Sequence, residues 1–344
     1  MVRTALFAAA LLLSGCAVTP TLAQGPGPGR GSSFAPLVKR VVPAVVNIAV
    51  IEPGAETADT SRTRTRRPAT LGAGSGFIID PSGIIVTNTH VVGRANRIIV
   101  TLADGTELPA TLVGTDELTD IAVIRVTPAA PLPYVQWGDS RVVEVGDWIL
   151  AAGNPFGVGI SVTAGIVSAR GRDIGAGPFD DFLQIDAPIN PGNSGGPTFN
   201  MDGQVIAVNT AIVSPTGGSV GIGFAVPSEM AAKIVADLRD HGHIERGWLG
   251  VSVQDVPGPR GPRGAGGAAV ANIDRAGPGA KAGLRQGDVV LAVNGTRVDS
   301  AQSLIKAVAA TPPGGAVRLT IHRGTQTIEL PVTVGRRPAE QQPG

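Results

Sequence analysis

The stretch Ile189–Pro197 reads Ile-Asn-Pro-Gly-Asn-Ser-Gly-Gly-Pro. Three glycines, Gly192, Gly195 and Gly196, surround Ser194. Because glycine lets the backbone turn sharply, several N–H groups can converge on one point, and such a loop can hold an anion. The anion is either a bound phosphate or the oxyanion that forms when Ser194 attacks a carbonyl group.

The rest of the sequence favours the oxyanion. No Lys-Ser or Lys-Thr pair follows the glycines, and no Gly-x-Gly-x-x-Gly motif opens a helix after a strand. A nucleophilic serine requires a general base within hydrogen-bond reach and an acceptor that orients this base. His90 lies just past a strand-like run, and Asp120 directly precedes the apolar run Ile121–Val126. We therefore predict a catalytic triad of His90, Asp120 and Ser194.

The composition favours β structure without a dominant charge. The chain has 344 residues, of which 43% are hydrophobic, only 3% are aromatic and 48 are glycine. Such a chain builds aliphatic cores joined by tight turns, and its length allows more than one compact unit. The formal net charge of +1 gives no overall field that would attract nucleic acid. From Gly74 onward, short β-rich runs recur at the spacing of an antiparallel sandwich or barrel.

The N-terminus has the arrangement of an export signal. Arg3 precedes the apolar run Ala5–Leu13, which is shorter than the roughly 20 residues of a membrane span. Leu-Ser-Gly-Cys, ending at Cys16, resembles a bacterial lipobox, which predicts a lipid anchor on this cysteine. The alternative is cleavage after Ala23, which would release a soluble periplasmic protein. Since Cys16 is the only cysteine, no internal disulfide can form.

Six blocks of sequence resemble the HtrA (high-temperature requirement) family of trypsin-like serine proteases. In order, they are TNTHVV, DELTDIAVI, GNPFG, TAGIVSA, QIDAPINPGNSGGP and GIGFAVPS, and they span Phe34 to about Asp240. The resemblance implies two packed β-barrels with the triad in the cleft between them, no metal and no other cofactor. It also implies an oxyanion hole formed by the backbone amides of Gly192, Asn193 and Ser194.

The resemblance extends to further residues by their positions in these blocks. It implies a shallow apolar specificity pocket, for cleavage after small aliphatic residues, lined by Ile189, Ala211 and Val213. The segments Arg170–Asp181 and Asn209–Gly218 match loops that switch between disordered and ordered states, and Arg172 matches an arginine that relays activation. The family also implies a homotrimer built through the segment around Phe34.

The C-terminal third resembles a PDZ domain of the bacterial-protease type. The matching blocks are RGWLGV, AGLRQGDVVLAVNG, a helical stretch Ser300–Ala309, and VRLTIHRG. A peptide would add a strand beside this helix, and the loop that captures its terminal carboxylate would be formed by Trp248, Leu249, Gly250 and Val251. Pro257–Gly267 departs from the family pattern, so the ligand preference stays open.

We therefore predict a mostly β chain, with a chymotrypsin-like double β-barrel protease domain followed by an α+β PDZ domain. The segments are an export signal (1–23), a flexible tether (24–33), the protease domain (34–242), the PDZ domain (243–336) and a polar tail (337–344). The predicted function is an exported serine endopeptidase that degrades or processes unfolded proteins of the bacterial envelope. It would recognise hydrophobic C-terminal peptides through the PDZ domain. A regulatory protease that cuts one signalling substrate, and a holding chaperone or scaffold, stay open as alternatives.

Two further features have simpler interpretations. Glu52–Pro68 ends in SRTRTRRP, which suits either a contact with anionic lipid or a solvated loop, and we favour the loop. His241 and His243 lie two residues apart without a cysteine or carboxylate pattern of metal-ligand spacing. We interpret them as the end of a helix rather than as metal ligands.

Overall fold

A computed structural model of the chain describes residues 33–51, 70–93, 97–155, 159–256 and 266–337. The predictions for Cys16 and the rest of the export signal, for the arginine-rich segment and for most of Pro257–Gly267 lie outside the described residues. The chain divides into two compact units, Met1–Pro36 and Leu37–Gly344. In the first, the Ser33 hydroxyl accepts the Ala35 N–H at 3.2 Å, where helix α1 (Ala35–Val41) begins.

The first barrel is a closed sheet of antiparallel strands in the order β1-β2-β3-β6-β5-β4. Its strands are β1 (Val45–Ile51), β2 (Thr70–Asp80), β3 (Ile84–Asn88), β4 (Arg97–Thr101), β5 (Glu107–Asp116) and β6 (Ile121–Val126), with the single turn α2 (Thr89–Val92) after β3. Branched and aromatic side chains such as Val45, Ile48, Phe77 and Ile85 fill its interior without any exposed surface. Closure leaves this sheet without free edges.

The second barrel is closed in the same way, in the order β10-β11-β12-β9-β8-β7. Its strands are β7 (Trp148–Gly153), β8 (Ser161–Arg172), β9 (Phe182–Ile185), β10 (Pro197–Phe199), β11 (Val205–Ile212) and β12 (Gly223–Pro227). Because β8 ends only at Arg172, the predicted loop Arg170–Asp181 is shorter than expected. Irregularities in the pairing of β8 with β9 let β8 continue to Arg172, which pairs with Phe182.

Helix α3 (Ser228–His241) packs against both barrels. Its apolar face, which includes the buried Ala231, Ile234 and Leu238, contacts β5 and β6 of the first barrel and β11 of the second. In its last turn the His241 carbonyl accepts the Nδ1–H of His243 at 2.9 Å. Within the described ranges, no three His, Cys, Asp or Glu side chains group as a metal site would require. No helix of the same ranges is long and apolar enough to cross a bilayer.

The C-terminal domain is a separate antiparallel sheet with its own core. Its strands are β13 (Gly247–Trp248), β14 (Val251–Val256), β15 (Gly267–Ile273), β16 (Val289–Val293), β17 (Thr296–Arg297), β18 (Ala316–Arg323), β19 (Gln326–Thr333) and β20 (Gly335–Arg336), with helices α4 (Pro278–Lys281) and α5 (Ala301–Ala309). The main sheet has the order β14-β15-β16-β18-β19, so β14 lies at one edge. Leu304 of α5 packs into the core with Val290, Leu319 and Ile321. The predicted architecture, a double barrel followed by an α+β domain, is confirmed.

Candidate active site

His90 and Asp120 meet at one end of the first barrel. His90 lies in α2, directly after β3, and Asp120 immediately precedes β6, the neighbour of β3 in the sheet. The Asp120 carboxylate holds the histidine twice. Its Oδ2 lies 2.6 Å from His90 Nδ1, and its Oδ1 accepts the His90 backbone N–H at 2.9 Å. Because an ionised carboxylate only accepts hydrogen bonds, Nδ1 carries the ring proton and Nε2 is free to act as a base.

The backbone of Asp120 is strained, and two residues of the first barrel hold it. Its φ of 58° lies in the left-handed region, which costs a residue other than glycine about 1–3 kcal/mol. Its carbonyl accepts the Asn88 Nδ2–H at 2.8 Å and the Thr89 N–H at 3.0 Å. The buried Asn88 amide also donates to Thr210 Oγ1 of the second barrel at 3.2 Å. These bonds fix the position from which the carboxylate reaches His90.

The serine loop, residues 189–196, lies between β9 and β10 and is fixed by backbone hydrogen bonds. Three backbone N–H groups of the loop donate to carbonyl groups: that of Asn193 to Asn190 (3.0 Å), that of Gly195 to Asn209 (2.8 Å) and that of Gly196 to Asn193 (3.0 Å). Gly195 has a φ of 82°, and a Cβ atom there would lie 2.3 Å from the Ser75 carbonyl oxygen and from Thr87 Oγ1. Only glycine fits at this position.

The two amides on either side of the Asn193 amide are unengaged. Within the described residues, the N–H groups of Gly192 and Ser194 donate to no acceptor. Preorganised amides without an acceptor are what an oxyanion hole requires. The Asn193 N–H, which the sequence prediction included in the hole, is already bonded to the Asn190 carbonyl. The loop therefore offers the donors of Gly192 and Ser194 to an oxyanion, and not that of Asn193.

The Ser194 hydroxyl points to the second barrel. Its Oγ donates to the Thr210 carbonyl at 3.4 Å, a long and weak hydrogen bond. In the part of the chain that the structure describes, no hydrogen bond joins Ser194 to His90. A cavity of about 300 Å³ beside this site is lined by His90, Asp120 and Thr210, among others. A hydrogen bond from the Ser194 hydroxyl to His90 would require this hydroxyl to leave the Thr210 carbonyl.

The predicted carboxylate loop of the C-terminal domain also presents unengaged amides. The carbonyls of Leu249 and Gly250 turn into the domain, where they accept the N–H groups of Gly279 and Asp274, both at 2.8 Å. Among the described residues, the amides of Leu249 and Gly250 donate to no acceptor. The loop leads directly into the edge strand β14, which is the arrangement that strand addition by a peptide requires.

Comparison with known proteins decides the family. The trypsin-like peptidase domain family matches residues 74–208, and the PDZ domain family matches residues 247–334. The structure of the HtrA-type protease AlgW with a decapeptide aligns with a TM-score of 0.77 and 39% identity, over 89% of this chain and 99% of that one. The "Probable periplasmic serine endoprotease DegP-like" of Brucella melitensis biotype 1 is 42% identical over a match that covers 91% of this chain and 71% of that protein. The chain belongs to the HtrA family of serine endoproteases.

Other relatives of this HtrA chain are longer than the chain itself. The protein of the same name from Rhizobium meliloti (strain 1021) is 48% identical over 271 residues, which cover 78% of this chain and 54% of the relative. For the Brucella suis biovar 1 protein, the match covers 58% of the relative. The chain thus spans little more than half the length of these two relatives. The crystal structure of the Yersinia pestis serine endoprotease aligns with a TM-score of 0.72 at 34% identity.

The three predicted pocket residues of this HtrA chain separate in the structure. Ile189 is 2% exposed and lies in a core cluster against which Ile212 packs. Gly223 pairs with Ile212 across β11 and β12, and a Cβ atom on Gly223 would lie 3.1 Å from Ile189 Cγ1. Ala211 lines the cavity beside His90, and Val213 is 51% exposed. Ile212 and Gly223, which the sequence prediction did not include, thus lie beside Ile189, after a bulge in β11 between Asn209 and Ala211.

The predicted activation loop is ordered around a buried carboxylate. Asp180 is 7% exposed, and its Oδ2 accepts the N–H groups of Ile174 at 2.9 Å and Ala176 at 3.0 Å. Arg172 lies on β8 and donates from Nε to Gln184 Oε1 of the neighbouring strand at 3.0 Å. The structure does not bring Arg172 to the triad, and its role in activation stays a prediction.

Proposed function

We propose that this HtrA-type serine endoprotease is exported to the periplasm, where it degrades or processes unfolded envelope proteins by a Ser-His-Asp acyl-enzyme mechanism. One observation carries the proposal: the first barrel carries a histidine held twice by a carboxylate, and the serine loop that is bonded to this barrel presents the unengaged amides of Gly192 and Ser194. A base and an oxyanion hole are the two devices that acyl transfer at serine requires. The names of the Brucella and Rhizobium relatives support the periplasmic location.

The proposed mechanism proceeds through an acyl-enzyme. Ser194 Oγ attacks the peptide carbonyl while His90 Nε2 takes its proton, and Asp120 stabilises the resulting imidazolium. The oxyanion accepts the N–H groups of Gly192 and Ser194, each contributing on the order of 10²–10³ in rate. Collapse breaks the C–N bond, and His90 protonates the leaving amine. Water then attacks the acyl-enzyme with His90 as base, which releases the second product and restores the serine.

We propose cleavage after small aliphatic residues. Ile189, Ile212 and Gly223 adjoin one another at the base of the serine loop, and their surface is apolar. Such a surface favours the burial of a methyl or isopropyl group over a charged side chain. A peptide series that varies only the residue before the cleaved bond tests this proposal, and a preference for Arg or Lys would contradict it.

We propose that peptide binding to the PDZ domain controls the protease, and helix α5 supplies the first support. Lys306 donates from Nζ to the Asp180 carbonyl at 2.9 Å, and Gln302 donates from Nε2 to Asp173 Oδ2 at 3.3 Å. Asp180 and its neighbours in the loop line the cavity beside His90. A peptide that moves α5 therefore acts on a loop that borders the catalytic base. The AlgW structures with a tripeptide and a decapeptide support a peptide ligand.

A second contact joins the start of the PDZ domain to the turn that carries Asp120. Arg246 forms a bidentate ion pair with the buried Asp116, with Nη2 2.7 Å from Oδ2, and its guanidinium lies 4.6 Å from the ring centroid of Phe179. Asp116 in turn accepts the Thr119 hydroxyl. Thr119, the residue before Asp120, is thus hydrogen-bonded to the carboxylate that Arg246 holds.

These contacts favour a regulatory protease, which cuts one signalling substrate when a PDZ ligand appears, as the second candidate function. A homotrimer built through the segment around Phe34 and a lipid anchor on Cys16 are further proposals from the sequence. Light scattering of the purified chain tests the trimer. The mass of the mature N-terminus tests the anchor, since lipidation adds a diacylglycerol to Cys16 whereas cleavage after Ala23 starts the protein at Gln24.

Hydrolysis of an unfolded protein by the full chain tests the proposed function. Wild type and Ser194→Ala are compared with and without a hydrophobic C-terminal peptide. We expect hydrolysis by wild type and none by the variant. Equal activity of both would end the serine-protease proposal, whereas hydrolysis only in the presence of the peptide would favour the regulatory candidate.

A further inference from the structure

Ser75, a fully buried residue of β2 in the first barrel, contacts the serine loop of the second barrel at two points. Its hydroxyl donates to the Gly192 carbonyl at 2.6 Å, across 117 positions of sequence. Its backbone N–H donates to the Ser194 carbonyl at 2.8 Å. Only the packing of the two barrels brings these groups together, and the proposed mechanism gives Ser75 no role.

A second hydrogen bond determines the direction of the Ser75 hydroxyl. The Asn154 N–H donates to Ser75 Oγ at 2.8 Å. Since the oxygen is the acceptor in this bond, its single proton is directed to the Gly192 carbonyl. Asn154 is 5% exposed. The two hydrogen bonds that run from the Asn154 amide through the Ser75 hydroxyl to the Gly192 carbonyl therefore lie away from solvent, where successive hydrogen bonds strengthen one another.

The Gly192 carbonyl belongs to the peptide group between Gly192 and Asn193, and this group is held at both ends. Its oxygen accepts the Ser75 hydroxyl, and its N–H donates to the Asn190 carbonyl at 3.0 Å. A peptide group is planar, so holding both ends restricts ψ of Gly192 and φ of Asn193. These torsions orient the unengaged N–H groups on either side, those of Gly192 and Ser194.

The Ser75 backbone holds a second carbonyl of the serine loop, that of Ser194. Its N–H bonds to the Ser194 carbonyl, and its own carbonyl accepts the Thr87 hydroxyl of β3 at 2.7 Å. The residue that bonds to the serine loop is thus fixed by two strands of the first barrel, β2 and β3. The Ser194 N–H lies in sequence between the two carbonyls that Ser75 holds.

We infer that Ser75 is a positioning residue of the oxyanion hole. It holds the Gly192 and Ser194 carbonyls toward the first barrel, so that the amides of these two residues face the substrate. The inference rests on the proposed function, because it assigns these amides to a tetrahedral intermediate. A residue that orders the hole acts on the transition state and not on the bound substrate. Its loss should therefore lower kcat and leave KM unchanged.

Ser75→Ala in the full chain, with saturating hydrophobic C-terminal peptide, tests the inference against a matched control. Ser140 is also fully buried, donates to Glu229 Oε2 at 2.6 Å and accepts the Glu229 N–H at 3.1 Å. Ser140→Ala thus also removes a buried hydroxyl that donates one hydrogen bond and accepts another, but at helix α3 and away from the serine loop. Any general effect of a lost buried hydroxyl appears in both variants.

Three measurements report on the hole. They are kcat and KM for a peptide cleaved after Val, the rate at which a fluorophosphonate labels Ser194, and the affinity for a peptide aldehyde. The oxygen of the aldehyde adduct occupies the hole. For Ser75→Ala we expect kcat, labelling rate and aldehyde affinity to fall about five- to tenfold, which corresponds to the net free energy of one hydrogen bond. KM should stay within about twofold, and Ser140→Ala should leave all these values unchanged.

The outcomes separate the inference from the proposed function. A wild-type chain that neither hydrolyses peptides nor reacts with the fluorophosphonate would overturn both. An active wild type with equal kcat and aldehyde affinity in Ser75→Ala would overturn the inference alone. If Ser75→Ala does not fold, Ser75→Cys, which keeps a weaker donor, should show an intermediate kcat, and a wild-type kcat there would refute the role of the hydroxyl.

Discussion

Replacing Asp288 with asparagine should strongly destabilise the PDZ domain. Asp288 is 1% exposed, and its carboxylate accepts Arg323 Nε and Nη2, both at 2.7 Å, and the Arg285 N–H at 2.8 Å. Arg323 also donates to the Gly283 carbonyl at 2.7 Å. The carboxylate thus joins β18 to the segment that leads into β16, and no other side chain supplies this connection to Arg323 within the described residues.

The magnitude follows from the burial of the pair. Breaking a buried ion pair costs about 3–5 kcal/mol. The Arg323 side chain is 27% exposed, so water replaces part of the lost pairing, and asparagine keeps one acceptor oxygen. We therefore expect Asp288→Asn to lose about 2–3 kcal/mol. At about 4–8 °C per kcal/mol for a domain of this size, the unfolding temperature of the PDZ domain falls by about 8–24 °C.

Calorimetry of the full chain measures this shift, and Glu329→Gln is the matched control. Glu329 pairs with Arg318 on the same strand as Arg323, but the side chains are 62% and 68% exposed. Exposed pairs of this kind contribute little to stability. If Asp288→Asn lowers the unfolding temperature no more than Glu329→Gln does, the argument from burial is wrong.

The same variant should change the pH dependence of stability. Burial raises the pKa of Asp288, but hydrogen bonds from Arg323 and Arg285 and the charges of both arginines outweigh it, so the pKa lies below 3.8. A carboxyl group with a lower pKa in the folded state stabilises the protein above its unfolded pKa and loses this effect as the pH falls through the folded pKa. The difference in unfolding temperature between wild type and Asp288→Asn should therefore narrow below about pH 4, and a constant difference would contradict the assignment.

Three further predictions concern catalysis. Asp120→Asn removes the acceptor that selects the His90 tautomer, so kcat should fall by about 10⁴ at unchanged KM; a loss of less than tenfold would exclude Asp120 from the triad. Gly223→Ala places a methyl group 3.1 Å from Ile189 Cγ1; kcat/KM for peptides cleaved after Val, relative to Ala, should fall by about tenfold, and an unchanged ratio would place the pocket elsewhere. Lys306→Met removes the bond from α5 to the Asp180 carbonyl; the ratio of peptidase activity with and without PDZ peptide should move toward one, while the exposed Lys281→Met keeps the wild-type ratio.

Much of the fold was predictable because it depends on local pattern. The run Ile121–Val126 is apolar except for the exposed Arg125, four consecutive apolar residues are expected of a strand buried on both faces, and β6 has these same bounds. Trp248–Val251 was predicted from its resemblance to a known loop, and its two central amides prove to be unengaged among the described residues. Such features follow from residues that are neighbours in the sequence.

Other features of the site depend on residues that meet only in three dimensions. The sequence around Ser194 marks an oxyanion loop but does not show that the Asn193 N–H is already bonded to Asn190. Val213 matches a pocket position in the family, yet a bulge in β11 leaves Ile212 packed on the cluster of Ile189. Pairing irregularities of this kind shift side chains by one position, and no local sequence pattern predicts them.

The sequence by itself determined which residues carry the proposed chemistry. A serine among glycines, a histidine after a strand and a carboxylate before one define the roles of nucleophile, base and orienting group, because each role depends on the type of side chain. Only the tertiary structure decided how these groups are arranged relative to one another. It turns the Ser194 hydroxyl to Thr210, leaves the amides of Gly192 and Ser194 without an acceptor among the described residues and places Ser75 of the other barrel on the carbonyls of these two residues. The physical reason is that hydrogen-bond partners from separate barrels meet only after both have folded and packed.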